Sequence, residues 1–194
     1  MRSGPAEILR DVVAILDSLG IRYVVGGSMA SSVHGEARYT RDADLVVELP
    51  PDRVEPLATA LEPRFYVSRE AMREALREGS SFNAIEPEAG FKVDFFILGR
   101  GAFDREEFRR GIREPSPPTG RTPIVYKTPE DTVLRKLQWS RAGRKVSDQQ
   151  WHDVLGVLAT CRGRLDEAYL DRWASELGVT DLLEKARAEV ERGT

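Results

Sequence analysis

The sequence predicts an α+β fold: a small mixed β-sheet flanked by helices, followed by a helical C-terminal part. Three observations predict it. As far as Lys127, short apolar runs bounded by glycine and proline alternate with helical spacings, and beyond Thr128 the pattern is helical throughout. The chain has 194 residues, 41% of them hydrophobic, which is enough for a core of ordinary size. The boundaries expected are 1–127 for the α/β core and 128–194 for a helical part closing the cleft.

The elements follow in chain order. Ile8, Val12, Ile15 and Leu16 recur at helical spacing over residues 5–19, with Pro5 suited to a first turn and Gly20 to a stop. IRYVV (21–25) is a short strand running into Gly26 and Gly27, and SMASSVHG (28–35) is a short helix closed by Gly35. ADLVVEL (43–49) is a strand ended by Pro50 and Pro51. PDRVEPLATAL (51–61) and SREAMREALREG (68–79) are helices on either side of a short FYVS strand. SFNAIEP and FKVDFFIL, joined by EAG, make a hairpin. FDREEFRRGI (103–112) is a helix, and the prolines of REPSPPTGRTP (113–123) argue against regular structure there. PIVYKT is the last strand. Thr128-Pro129 has the form of an N-cap followed by proline at the first helical position, and Ser147 with Gln150 forms a capping box for the next helix.

Composition narrows the function classes. With 31% charged residues and a net charge of −3, the chain as a whole is not an electrostatic nucleic-acid binder, so any polyanion contact needs a local basic patch. The single Cys161 rules out an internal disulfide and a cysteine-based zinc site. No signal peptide and no membrane-length apolar run is seen, and the expected location is cytoplasmic. His34 and His152 are the only histidines, too few for a His-based metal site. Ser31, Ser32 and Cys161 lack the context of a catalytic nucleophile.

The chemistry concentrates in GGSMASSVHGEARYTRDADLVV (26–47). A strand turning through Gly26, Gly27 and Ser28 into a helix offers backbone N–H groups to an anion, although the same residues also serve a plain tight turn. Asp42 and Asp44 are i and i+2 on a strand, so both carboxylates project from one face. Side by side they repel unless a cation joins them. Asp94 lies in the otherwise apolar run FKVDFFIL and needs either an ion or a partner such as Lys92 or an arginine. Arg135, Lys136, Arg141, Arg144 and Lys145 form a dense basic cluster suited to a nucleotide or RNA.

Gly-Ser, then 13 residues, then Asp-x-Asp, then one more Asp on a later strand resembles the nucleotidyltransferase signature of the DNA polymerase beta superfamily. Arg38 and Thr40 ahead of the acid pair, and TPEDTVLRKLQWSRAGRKVSDQQWHDVLGVL further on, resemble its AbiEii-type branch, which includes toxins of toxin–antitoxin systems. The resemblance spans roughly residues 20–160. It implies a nucleotidyltransferase fold and an enzyme that moves NMP from an NTP to an acceptor, releasing pyrophosphate. Asp42, Asp44 and Asp94 would hold Mg²⁺ or Mn²⁺. Gly26, Gly27, Ser28, Arg38 and Thr40 would meet the nucleotide, together with Lys136 and Asp153.

The implied acceptor is a tRNA or other RNA end or a protein, with a cognate antitoxin as a further partner and no membrane. The alternatives are a small-molecule, aminoglycoside-like acceptor, or a catalytically silent nucleotide-binding or antitoxin-like partner. Either Asp148 or Asp153 matches the family's helical acid. A helical projection turns Asp153 away from Trp151, Val154, Leu155 and Leu158, toward a polar cleft or toward solvent. Lys136 either meets phosphate or covers apolar surface with its stem while its amine reaches water.

Overall fold

The computed structural model describes residues 4–114, 122–143 and 148–193. The chain divides into two compact units, Met1–Gly26 with Tyr39–Tyr126, and Gly27–Arg38 with Lys127–Thr194. The second unit therefore takes in a short segment from early in the chain as well as the C-terminal helices.

The first unit is built on a mixed sheet. Its strands are β1 (Arg22–Val25), β2 (Asp42–Glu48), β3 (Tyr66–Val67), β4 (Ser81–Glu86), β5 (Phe91–Ile97), β6 (Ile112–Arg113) and β7 (Val125–Tyr126), in the spatial order β3-β4-β5-β2-β1-β7-β6. β2 with β5 and β1 with β7 are parallel, and the other neighbours are antiparallel. The two edge strands are only two residues long, which leaves little unpaired backbone for another chain to extend. Helices α1 (Pro5–Ser18), α3 (Val54–Leu61), α4 (Arg69–Glu78) and α5 (Ala102–Arg109) belong to the same unit, and a 3₁₀ turn at Pro51–Arg53 leads into α3.

Apolar alternation explains the sheet. Ala43, Leu45 and Val47 of β2 and Val93 and Phe95 of β5 are fully buried, so one face of these strands forms the core. Ile8, Leu9, Val12, Val13 and Leu16 of α1 are also fully buried, and Phe82 stacks on Phe95 with centroids 4.8 Å apart. Each such large side chain contributes about 1.5–3 kcal/mol through burial. The polar residues of β2 and β5 are thereby left on the opposite face.

The second unit is helical: α2 (Gly27–His34), α6 (Pro129–Arg141), α7 (Asp148–Thr160), α8 (Glu167–Glu176) and α9 (Thr180–Arg192). Thr128 caps α6 as expected, its Oγ1 accepting the Asp131 N–H at 3.1 Å, with Pro129 at the first position. The buried Asp131 carboxylate is held by the Thr128 hydroxyl at 2.8 Å and by the Tyr169 hydroxyl at 2.6 Å, tying the start of α6 to α8. Gly35, just past α2, and Gly156 of α7 let these helices pack closely. A Cβ on Gly35 would stand 2.9 Å from the backbone of Gly156 and Val157.

One expectation needs correction, and others fall on residues outside the described ones. The helix predicted for 103–112 stops at Arg109. Ile112 and Arg113 instead pair antiparallel with Tyr126 and Val125, because a late strand supplies the ladder that the flanking Gly111 and Pro115 conceal in sequence. Ser147, of the proposed capping box, lies outside the described residues.

Candidate functional site

In the first unit, the parallel register of β2 and β5 sets Asp42 opposite Lys92 and Asp44 opposite Asp94. Residues 42 and 44 share a face by strand periodicity, and so do 92 and 94. Four charged groups thus form a two-by-two array on the face opposite the buried Ala43, Leu45, Val93 and Phe95. Asn83 of β4 flanks Asp94 on the other side. Asp42 is exposed, and Asp44 and Asp94 are half-buried.

Two contacts order this array. Thr40, itself buried, donates its hydroxyl to the Asp42 carboxylate, which fixes that side chain at the mouth of β2. The Lys92 ammonium pairs with Asp94, Nζ to Oδ2, at 2.6 Å. Its pKa is raised first by that hydrogen bond, and the charges of Asp94, Asp42 and Asp44 add to the rise. Among the described residues no three His, Cys, Asp or Glu side chains already form a metal-binding cluster. The donor chemistry nonetheless fits Mg²⁺ or Mn²⁺, since three carboxylates on one sheet face supply the hard oxygen ligands these ions prefer.

The second unit holds a separate polar cluster. Gly27 opens α2 with φ +55°, a backbone angle that suits glycine. Ser28 Oγ accepts a hydrogen bond from Arg38 Nη2. The Arg38 fork also grips the Asp153 carboxylate, Nε to Oδ1 at 3.0 Å and Nη2 to Oδ2 at 3.1 Å. Lys136 Nζ donates to Asp153 Oδ2 at 2.9 Å, and Ser31 Oγ lies 3.3 Å from the same oxygen. Burial pushes the Asp153 carboxyl upward, but the hydrogen bonds and charges of Arg38 and Lys136 outweigh it and hold the group below the usual carboxylate range.

The sequence matches no protein-family model and no curated protein. Among solved structures, the chain is similar to ANT(2'')-Ia in complex with adenylyl-2''-tobramycin, with a TM-score of 0.55 at 14% identity over 87% of this chain and 96% of that one. It is also similar to an antigenic nucleotidyltransferase-like protein from Paracoccidioides brasiliensis, with a TM-score of 0.51 at 16% identity over 93% and 91% of the two chains. The chain has a nucleotidyltransferase fold.

The structure gives several of the expected residues protein partners that the sequence does not reveal. Gly26 does not offer its N–H to an anion, because that group bonds the Asp44 carbonyl at 2.8 Å and extends the β1–β2 ladder. Thr40 donates to Asp42. Asp153 is not turned outward. It is 7% exposed and forms the hub of the cluster, because α2 and Arg38 cover the helix face that a projection of α7 alone leaves bare. Lys136 does not reach water with its amine, since its side chain is 6% exposed and committed to Asp153. Asp148, on the first turn of α7, is exposed, so Asp153 is the acid that belongs to the cluster.

The basic patch is partly neutralised. Arg141 pairs with Asp181 and Lys136 with Asp153, Arg135 keeps its charge while donating to the neutral Gln138 amide, and Arg144 and Lys145 lie outside the described residues. His152 is exposed and pairs with Glu36, while burial pushes the Cys161 thiol up in pKa. The sequence presents Lys92 only as a partner for Asp94, and its place in the array comes from the strand register. The signal was present: Lys-x-Asp in β5 has the same period as Asp-x-Asp in β2. Among the described residues, no helix is long and apolar enough to cross a membrane.

Proposed function

We propose that the protein is a metal-dependent nucleotidyltransferase that moves NMP from an NTP to an acceptor hydroxyl. The observation that carries this reading is the alignment of Asp42, Asp44 and Asp94 on one face of two parallel strands, in a nucleotidyltransferase fold. Lys92 offsets one of the three negative charges, and the excess negative charge left on that face favours a bound cation. The three aspartates would hold Mg²⁺ or Mn²⁺, which when bound neutralises charge on the triphosphate and favours attack at the α-phosphorus. Thr40 keeps the Asp42 carboxylate oriented for this task.

In the second unit, Gly27 and Ser28 would receive the triphosphate at the start of α2. Arg38 and Lys136 bring two cations against the single carboxylate of Asp153, so the cluster keeps a net positive charge for phosphate. In the transfer, the acceptor hydroxyl gives up its proton, its oxygen bonds the α-phosphorus, the bond to the β-phosphate oxygen breaks and pyrophosphate leaves. Positioning and charge neutralisation account for most of the acceleration.

The resemblance of residues 26–47 and 128–158 to the AbiEii-type branch supports an RNA 3′ end, a tRNA above all, or a protein side chain as acceptor, and a role as the toxin of a toxin–antitoxin pair. A second reading, transfer to a small hydroxyl-bearing antibiotic, draws on ANT(2'')-Ia, which is known in complex with adenylyl-2''-tobramycin.

The test is incubation with each α-labelled NTP, a divalent ion, bulk RNA, aminoglycosides and cell extract. Label should appear in an RNA or protein band and vanish in Asp42→Asn/Asp44→Asn while the circular dichroism spectrum is kept. Transfer that survives the double substitution refutes the site. Growth arrest on expression, relieved by a neighbouring gene product, separates a toxin from a housekeeping transferase.

A further inference from the structure

Lys92 stands in the same sheet-face array as the three aspartates, directly opposite Asp42 and two residues before Asp94. Its ammonium sits 2.6 Å from Asp94 Oδ2 and also feels the charges of Asp42 and Asp44. The array therefore carries its own cation. The Lys92 side chain is 45% exposed, so its ammonium can leave for water at little cost in burial, whereas the Asp94 side chain is 20% exposed and cannot turn away as easily. An ammonium bonded to a carboxylate oxygen competes with a metal ion for that oxygen, and adds like-charge repulsion against the ion.

We propose that Lys92 is a resident counter-ion that sets the metal affinity of this site. Asp94 enters a metal shell only by exchanging its ammonium partner, and the nucleotide-free protein takes a divalent ion first through Asp42 and Asp44. The inference rests on the metal-binding reading above and adds a residue that tunes it.

The test uses Mn²⁺ as probe with the full-length, nucleotide-free protein, read by electron paramagnetic resonance of free Mn²⁺ and by calorimetry. Lys92→Met should tighten Mn²⁺ binding by about tenfold or more, the size expected when one adjacent like charge is removed. Lys92→Arg keeps the charge and should bind as the wild type does. Lys92→Met/Asp94→Asn should lose the gain, because the freed carboxylate is then absent. Thermal melts of each variant check that the fold persists. The proposal is overturned if Lys92→Met binds Mn²⁺ no tighter than wild type, or if the gain survives without Asp94. If wild type binds Mn²⁺, Asp42→Asn/Asp44→Asn does not, and Lys92→Met shows no gain, only the role of Lys92 fails. Absence of Mn²⁺ binding in every variant removes the metal reading itself.

Discussion

Lys136 of α6 and Asp153 of α7 meet at 2.9 Å with side chains only 6% and 5% exposed. With Arg38 as a second donor to the same carboxylate, they form a buried polar cluster in the helical unit, separate from the one around Asp131. Removing one partner of a buried ion pair strands the other, which typically costs about 3–5 kcal/mol. Asp153→Ala is therefore expected to lower stability by that order in urea denaturation. Asp148→Ala, on the exposed first turn of the same helix, should stay within about 0.5 kcal/mol of wild type. Equal effects from the two would show that the Asp153 cluster does not organise the unit.

The Thr40 hydroxyl holds the Asp42 carboxylate. Thr40→Val keeps shape and burial but removes the donor, and loss of such a supporting hydrogen bond usually costs 10–100-fold in metal affinity or activity, to order of magnitude. Nucleotidyl transfer by Thr40→Val should fall by about that factor, with Thr40→Ser restoring most of it. Undiminished turnover in Thr40→Val would mean that Asp42 needs no orientation.

Gly35 faces the α7 backbone with room for a hydrogen and no more, since an added Cβ would lie 2.9 Å from Gly156 C and Val157 N. Backbone atoms cannot move aside as a side chain does. Gly35→Ala is expected to destabilise by about 1–3 kcal/mol. Because the same packing brings Ser31 to Asp153, the substitution should also disturb that cluster. An unchanged melting temperature would contradict the close approach.

His34 is half-buried and its Nε2–H donates to the Lys127 carbonyl at 2.7 Å. Burial lowers its pKa, opposed by the Lys127 carbonyl and by Glu130 and helped by Arg164. The unfolded chain then binds a proton that the folded chain resists. This contribution is complete above the ordinary histidine pKa of about 6.5 and is lost as pH falls below it. Asp153, held low, loses its contribution only in more acidic solution, below about pH 4. Urea midpoints measured from about pH 7.5 down to about pH 5 should decline in wild type and much less in His34→Gln, whose amide can still donate to Lys127. A flat wild-type profile would refute the depressed pKa.

The sequence by itself determined the strands and helices almost throughout, because apolar periods of two and of 3.6 residues are local properties set by which face is buried. It also marked Asp42, Asp44 and Asp94, since carboxylates in apolar runs are conspicuous wherever they lie in the chain. Pairing register and helix docking belong to the tertiary structure. Only the parallel alignment of β2 and β5 placed Asp44 against Asp94 and Lys92 against Asp42, and a slip of one residue would have sent these side chains to opposite faces. Only the approach of α2 and α7 at Gly35 and Gly156 buried Asp153 beneath Arg38 and Lys136. A projection of α7 alone leaves that aspartate facing outward, because one helix cannot report which neighbour will cover it.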